Sequence, residues 1–390
     1  MAATINVMKR ILILIPSFEI GGTNSSLLSF LSEIDTKRLS VDIFSLRHSG
    51  AMKEKFPNCK ILDENLWLSM SIREGGVTKR FFNGLVQNMR RFFKRLGIDL
   101  YPIYGKIAGM QMNTQGYDAV CSFQEDLSHM LSCIPARKRI AWVRCEYSRY
   151  YNVYRIDESK YYKKIDDVVT VSEFTRQSFC KYYPDLASRT KVINNFLDED
   201  FIVRLSKVPF KPHKNWLPDT LKIISVGRID AVKQFEKIPE IVKGVLNRRP
   251  DAKLAWIIIG SGNKELERQI EDKVEEYQLQ DYVQHLPAKD NVFPWVASAD
   301  LFVHTSQSET FSRVVNEAKA LNVPVLINNY GCADEFVEND TDGWIVPVDE
   351  MWCKIVELLD NRILLTKVRS YLENKHYDNE KILSQIIELI

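Results

Sequence analysis

The stretch Leu301-Phe302-Val303-His304, followed by Ser308-Glu309-Thr310-Phe311-Ser312-Arg313-Val314-Val315-Asn316-Glu317-Ala318, decides how this chain folds. A short apolar run bounded by polar residues reads as a buried strand, and helical spacing sets in at Ser312, so the chain here runs strand, polar loop, helix. At about 1.5 Å of rise per residue, Glu317 falls roughly one turn inside a helix that starts near Ser312, while Glu309 stays in the loop. Two carboxylates therefore border one crevice. The helix start between them offers unpaired backbone N–H groups to hydroxyl or phosphate oxygens. That combination suits a polyhydroxylated, anionic ligand.

The same unit recurs outward in both directions. Upstream, Leu221 to Gly227 is an apolar strand, followed by Arg228 and then Lys233 ahead of a helix predicted from Phe235 to Leu246. Two cations at the carboxyl end of a strand can clamp a diphosphate, Arg through a planar fork and Lys as a point charge, or stand as a solvated pair. Leu254 to Gly262 is a further strand and glycine turn, Lys264 to Tyr277 a charged amphipathic helix, Val283 to Pro287 a short strand that includes Leu286, and Val292 to Ser298 a helix. Downstream, Val323 to Ile327 reads as a strand, with Pro324 tolerable only near its start or at an edge. In the first half, Ile11 to Ile15 is apolar at every position and runs into Gly21-Gly22-Thr23-Asn24-Ser25-Ser26. Two glycines with Thr, Asn and Ser behind them give a close-approach loop and a helix N-cap, serving either phosphate or sugar contact or a plain turn. Val41 to Leu46, Lys60 to Leu62, Tyr117 to Ser122, Arg139 to Val143, Asp167 to Val171 and Lys191 to Asn195 supply more strands. Arg144 stands at the carboxyl end of one of them, where ligands bind in open α/β sheets, and Ser172 reads as an N-cap. No G-x-G-x-x-G is present, which weakens a dinucleotide dehydrogenase reading.

Composition bounds the rest. With 390 residues, 45% hydrophobic content and a formal charge of +2, the chain can bury ample core and fill two domains. Pro209, Pro212 and Pro218 mark a stiff connection, placing an N-terminal domain at 1–205, a C-terminal domain at 206–370 and a terminal helix at 371–390 that packs back on the first. Seven cysteines without a C-x-x-C indicate neither a disulfide framework nor a zinc site and fit a reducing cytoplasm. The apolar run after Met8-Lys9-Arg10 is too short for a signal peptide and leads into Pro16 and Glu19. From Gly75 to Ile98 there is no acidic residue, and basic and aromatic residues alternate over 79–95 at helical spacing. This basic amphipathic helix either adsorbs on an anionic membrane, at the inner face of the cytoplasmic membrane, or packs in the core. Near-neutral overall charge and the lack of a recognised module exclude nucleic acid as a partner.

In order along the chain stand Ser225-Val226-Gly227-Arg228 with Lys233, Ile259-Gly260-Ser261-Gly262, the Glu-x7-Glu pair Glu309 and Glu317, Ala320 to Val325, Gly331 to Glu335, and Asp342-Gly343-Trp344-Ile345-Val346. With these motifs the second half resembles the retaining family 4 glycosyltransferases of the bacterial surface-polysaccharide type. The resemblance implies the GT-B fold, α/β, two Rossmann-like doubly wound domains facing a central cleft. It implies a donor site in which Gly227, Arg228 and Lys233 hold the diphosphate, Glu317 takes the ribose hydroxyls and Glu309 the transferred sugar. Leu286, Thr310 and the backbone N–H groups of Phe311, Ser312 and Arg313 complete the donor contacts, while Gly21 and Gly22 let the first domain's backbone reach the diphosphate. Glu309, Arg228, Lys233 and Arg144 would be the catalytic set, with no cofactor and no metal. Thr310 and Ser312 stand where the family usually has glycine, and Arg144 where many members have histidine. The expected activity is transfer of a hexose from a UDP-linked donor to a glycan or lipid-linked acceptor in surface polysaccharide synthesis. The alternatives are a nucleotide-sugar epimerase on the same fold or a non-catalytic nucleotide- or carbohydrate-binding protein.

Overall fold

Strand β1, Lys9–Ile15, is buried from Ile11 to Ile15, as its unbroken apolar run requires when helices cover both faces of a parallel sheet. A computed structural model describes residues 8–19, 21–64, 92, 93, 96, 98, 101–154 and 158–390. Within them the chain divides into one unit of Met1–Phe196 with Asp378–Ile390, and a second of Leu197–Tyr377. The basic stretch 79–95 lies almost wholly outside the described residues.

The first unit holds β1 with β2 (Leu39–Ser45), β3 (Cys59–Ile61), β4 (Ala119–Ser122), β5 (Arg139–Val143), β6 (Asp167–Thr170) and β7 (Thr190–Val192). Their order is β3-β2-β1-β4-β5-β6-β7, and every pairing is parallel. Helix α1, Gly22–Glu33, begins at the glycines, and α2, Tyr101–Met112, lies along the chain between β3 and β4. The expected polar N-cap of α1 is absent: Gly21 takes the cap position with no side-chain hydrogen bond. Asn24 is drawn inward instead, where Nδ2 donates to the carbonyls of Ser17 and Glu19 at 2.9 and 2.7 Å and so folds the preceding loop back on the helix. Ser172 does cap helix α3, Glu173–Tyr182, by accepting from Thr175 N at 3.2 Å.

The second unit opens with helix α4, Glu199–Ser206, and builds β8 (Leu221–Val226), β9 (Leu254–Ile259), β10 (Val283–Leu286), β11 (Leu301–His304), β12 (Val325–Ile327) and β13 (Gly343–Ile345). Their order, β10-β9-β8-β11-β12-β13, repeats that of the first six strands of the other sheet, again all parallel. Pro324 sits just outside β12, so the ladder loses no donor to it. Helix α5, Ile238–Arg248, is preceded by a 3-10 turn at Phe235–Lys237, and α6, Lys264–Glu276, is capped by Asn263, whose Oδ1 accepts from Glu265 N at 2.9 Å. Helix α7, Arg313–Ala320, follows β11, and the closing helix α8, Asn379–Leu389, belongs to the first unit. Both sheets are doubly wound. In such sheets the connections turn to opposite faces at one place, here between β8 and β11, and ligands bind outside the carboxyl ends of those two strands.

A buried serine stitches that place together. Ser225, fully buried in β8, donates to the Val303 carbonyl of β11 at 2.6 Å and accepts from Trp256 Nε1 of β9 at 3.0 Å.

Candidate functional site

Asp230 organises the loop that leaves β8. Its Oδ1 accepts from the backbone N–H groups of Val232 and Lys233 at 3.0 and 3.2 Å, and its Oδ2 accepts from Arg228 Nε at 2.9 Å. One carboxylate thus shapes the turn and orients a guanidinium that is otherwise exposed, its side chain 78% open to solvent. The loop leaving β11 is tied to it: Thr305 Oγ1 donates to the Lys233 carbonyl at 2.6 Å, and Ser306 Oγ and Gln307 N donate to the Val232 carbonyl at 3.2 and 2.9 Å. These bonds bring together residues more than seventy positions apart in sequence, and they deliver Lys233 to Glu309.

Lys233 Nζ lies 2.5 Å from Glu309 Oε1, and His304 Nε2 lies 2.7 Å from the same oxygen. Burial would push the Glu309 carboxyl up, but the His304 hydrogen bond and the nearby charges outweigh it and hold the group at about 2. Burial pulls the His304 imidazole down, with Glu309 opposing, so the ring is neutral and Nε2 carries the donated proton. The carbonyl of Glu309 is held as well, by Cys332 Sγ at 3.1 Å. The result is an ionised carboxylate fixed at the carboxyl end of β11.

Glu317 lies one turn into α7 and accepts from Arg313 Nε at 2.6 Å. Phe311 is buried edge-on against Phe336, ring centroids 5.0 Å apart, so its side chain anchors the turn. Ser312 caps α7 at φ +44°, in the left-handed region that favours glycine. The backbone N–H groups of Phe311 and Ser312 bond to no other described residue. Thr310 is half-buried beside them. Gly227 N donates to the Ile259 carbonyl at 3.1 Å, and Leu286 closes β10 with its carbonyl taken by Gly260 N at 3.0 Å. Thus Gly227, Arg228, Lys233 and Glu309 share the ends of β8 and β11, Thr310 to Glu317 continue from there, and Leu286 sits two strands away.

The remaining expected residues lie in the first unit. A Cβ added to Gly21 or Gly22 would meet nothing within 4 Å. Arg144 is half-buried, its guanidinium 3.7 Å over the Phe123 ring; Nε donates to the Phe123 carbonyl at 3.0 Å and Nη1 to Asn195 Oδ1. Burial pulls it below the usual guanidinium range, with Glu125 opposing. The cavity beside it, about 20 Å³, is bordered by Phe123, Trp142, Asn194 and Asn195 and has room for about one water.

Among the described residues no group of three or more His, Cys, Asp or Glu side chains could hold a metal ion, and no helix is long and apolar enough to cross a membrane. All seven cysteines are free.

The comparisons concern the unit that holds this switch point and cluster of charges. Residues 209–378 match the family model of the glycosyl transferases group 1. The match corrects the expected family: the model that fits is group 1, not family 4. An uncharacterized glycosyltransferase of Methanocaldococcus jannaschii is 28% identical over 167 residues, 43% of this chain and 40% of that one. A D-inositol 3-phosphate glycosyltransferase of Paenarthrobacter aurescens is 30% identical over 131 residues, 33% of this chain and 32% of that one. The chain therefore spans less than half the length of either relative. Over the whole chain the fold is GT-B. The crystal structure of Anabaena HepE in complex with UDP and glucose superposes with a TM-score of 0.72, covering 97% of this chain and 98% of that one at 16% identity. TarM of S. aureus, in a complex that includes UDP, superposes with a TM-score of 0.69 over 98% of this chain and 99% of that one at 14% identity.

Sequence reasoning missed two residues of this site, His304 and Asp230. His304 was legible only as a lone polar side chain ending an apolar strand, and Asp230 as an aspartate two residues ahead of a turn N–H, the Asx-turn signature.

Proposed function

We propose that this chain is a glycosyltransferase that moves a hexosyl group from a UDP-linked donor to a hydroxyl of a glycan or lipid-linked acceptor, with retention at the anomeric carbon. The observation that carries the reading is the Lys233–Glu309 pair at the carboxyl ends of β8 and β11, with Arg228 held by Asp230 on the same loop and Glu317 one turn into the helix that follows. The match of this segment to a glycosyltransferase family model, and the UDP in the HepE and TarM complexes, support it.

In this reading Arg228 and Lys233 take the charge that grows on the departing diphosphate, without a metal. Glu317 accepts the ribose hydroxyls, for which Arg313 must yield. The open N–H groups of Phe311 and Ser312 bind phosphate or sugar oxygens, and Leu286, Thr310 and Arg313 border the donor. Glu309, ionised across the physiological range, accepts a hydroxyl of the transferred sugar. The acceptor oxygen attacks on the face that the leaving group vacates, and a donor phosphate oxygen takes its proton, so no enzyme nucleophile is needed.

The test is mass detection of UDP released from UDP-glucose, UDP-galactose and UDP-N-acetylglucosamine, with and without added glycan acceptors. Release that needs an acceptor, together with an NMR coupling that places the new bond in the donor's anomeric configuration, is the expected result. Interconversion of the donor sugars without release points to an epimerase instead.

A further inference from the structure

Glu309 is held by one oxygen only. Lys233 Nζ and His304 Nε2, at 2.5 and 2.7 Å, both end on Oε1, and among the described residues Oε2 accepts no hydrogen bond. A carboxylate offers about four lone-pair sites over its two oxygens, so two donors on Oε1 fix the plane of the group and leave Oε2 at a set orientation. The side chain of Glu309 keeps 14% of its surface open, whereas that of His304 keeps none. His304 therefore reaches a ligand only through Glu309.

Its surroundings define its state. His304 ends β11, its carbonyl accepts from Asn328 N at 2.9 Å, and its ring stands edge-on to Tyr330 with centroids 6.2 Å apart. With Nε2–H given to Glu309, Nδ1 carries a lone pair, and that atom has no partner among the described residues. An acceptor left unmet in the interior is costly, so the imidazole is there for its other nitrogen. The groups facing the pair are Lys233 from the loop after β8, Ser312 at the start of α7, and Tyr330 and Cys332 from the segment after β12. Burial holds the Tyr330 phenol and the Cys332 thiol well above their ordinary ranges, so neither adds charge near neutral pH.

We infer that His304 is a positioning residue: a neutral, buried donor that turns the Glu309 carboxylate so that Oε2 accepts a hydroxyl of the transferred sugar. This rests on the reading of the site as a nucleotide-sugar site. It adds a specificity-determining part to a residue that never touches the donor.

Titration calorimetry on the full chain separates the two claims. UDP alone reports the diphosphate and ribose contacts, and the gain in affinity from UDP to the best of UDP-glucose, UDP-galactose and UDP-N-acetylglucosamine reports the sugar contact. His304→Leu is expected to bind UDP within a few-fold of wild type yet lose roughly tenfold or more of the sugar gain, as for a lost charge-assisted hydrogen bond. His304→Gln, which keeps a neutral donor at the ε position, should recover most of it. In the Glu309→Gln background, His304→Leu should have no further effect on the sugar gain. Lowering pH from 8 to 5 should leave the wild-type gain unchanged but erode that of His304→Leu, because Glu309 without its donor becomes protonated at higher pH. No UDP binding by wild type would remove the nucleotide-site reading itself. UDP binding with a sugar gain that is absent in wild type, or equal in wild type and His304→Leu, overturns the role of His304 while leaving that reading in place.

Discussion

Glu309 and Glu317 sit eight residues apart, but different forces hold them. Glu309 is pinned by Lys233 and His304 and stays ionised down to about pH 2, while Glu317 is engaged by Arg313 on its own helix, an i,i+4 contact that the proposed ribose contact would displace. Lys233→Ala should therefore do two kinds of damage, removing a diphosphate contact and loosening Glu309, whereas Arg228→Ala removes only the first. Calorimetry should show UDP affinity down about tenfold in Arg228→Ala and further in Lys233→Ala. Ser312 supplies a separate expectation. It is buried at φ +44° with no hydrogen bond of ordinary geometry to its Oγ, so Ser312→Gly relieves backbone strain and removes an unmet hydroxyl. A gain of about 1 kcal/mol, read as a higher melting temperature, is expected; a drop would mean that the serine side chain is needed where it is. The two carboxylates and the two cations were visible in sequence because each flanks an apolar run. Asp230 and His304 were not, although their partners stand within five residues, Arg228, Val232 and Lys233 for the one and Glu309 for the other, because which polar atoms meet depends on how the loop folds back on itself and not on spacing.

Glycine decides the loops at the element scale, unequally. A Cβ on Gly260 would stand 1.9 Å from the Gly227 carbonyl oxygen and one on Gly262 2.2 Å from that of Ile229, so the turns after β8 and β9 cross with no room for a side chain. Gly260→Ala should cost several kcal/mol and lower the melting temperature sharply, while Gly22→Ala, with open space around it, should leave melting unchanged. The C-terminal end of α7 is anchored by charge. Buried Asp342 accepts from Lys319 Nζ at 2.6 Å, Lys375 Nζ at 2.7 Å and Glu338 N at 2.9 Å. Burial would raise the Asp342 carboxyl, but the two lysines more than offset it and hold it below the usual range. The folded value is thus the lower one, and the stabilisation is complete above roughly pH 4 and lost as pH falls through the depressed value. Asp342→Ala leaves half-buried Lys319 with only the Phe336 carbonyl as partner among the described residues and should cost about 3 kcal/mol in urea melts at pH 7. Most strands were legible to within a residue or two, since runs such as Leu254 to Ile259 are apolar throughout and buried on both faces, whereas β7 stops at Val192, three residues short of the expected Asn195. The start of α1 was not: Thr23, Asn24 and Ser25 look like caps, but Asn24 satisfies two loop carbonyls instead, a tertiary choice that local propensity does not reveal.

On the scale of the whole molecule, the strand order repeats from one sheet to the other, and each sheet reverses its winding beside its first strand. The chain does not keep its units sequential. Helix α8, at the far end, belongs with β1 to β7, burying Ile382, Leu383, Ile386 and Leu389, with Arg38 Nη1 2.6 Å from Glu380 and Asn379 Nδ2 2.9 Å from Glu33. At about 1.5–3 kcal/mol per buried aliphatic side chain, deleting residues 378–390 should destabilise the N-terminal unit enough to appear as an early melting transition. The two-sheet plan was readable because each apolar strand is followed by a glycine or polar loop and a helix. Whether the carboxyl ends of β8 and β11 form the proposed nucleotide-sugar site is tested most directly by titration of the full chain with UDP. Saturable binding that falls by at least tenfold in both Lys233→Ala and Glu317→Ala is the expected result; no binding, or binding that both variants retain in full, would contradict it.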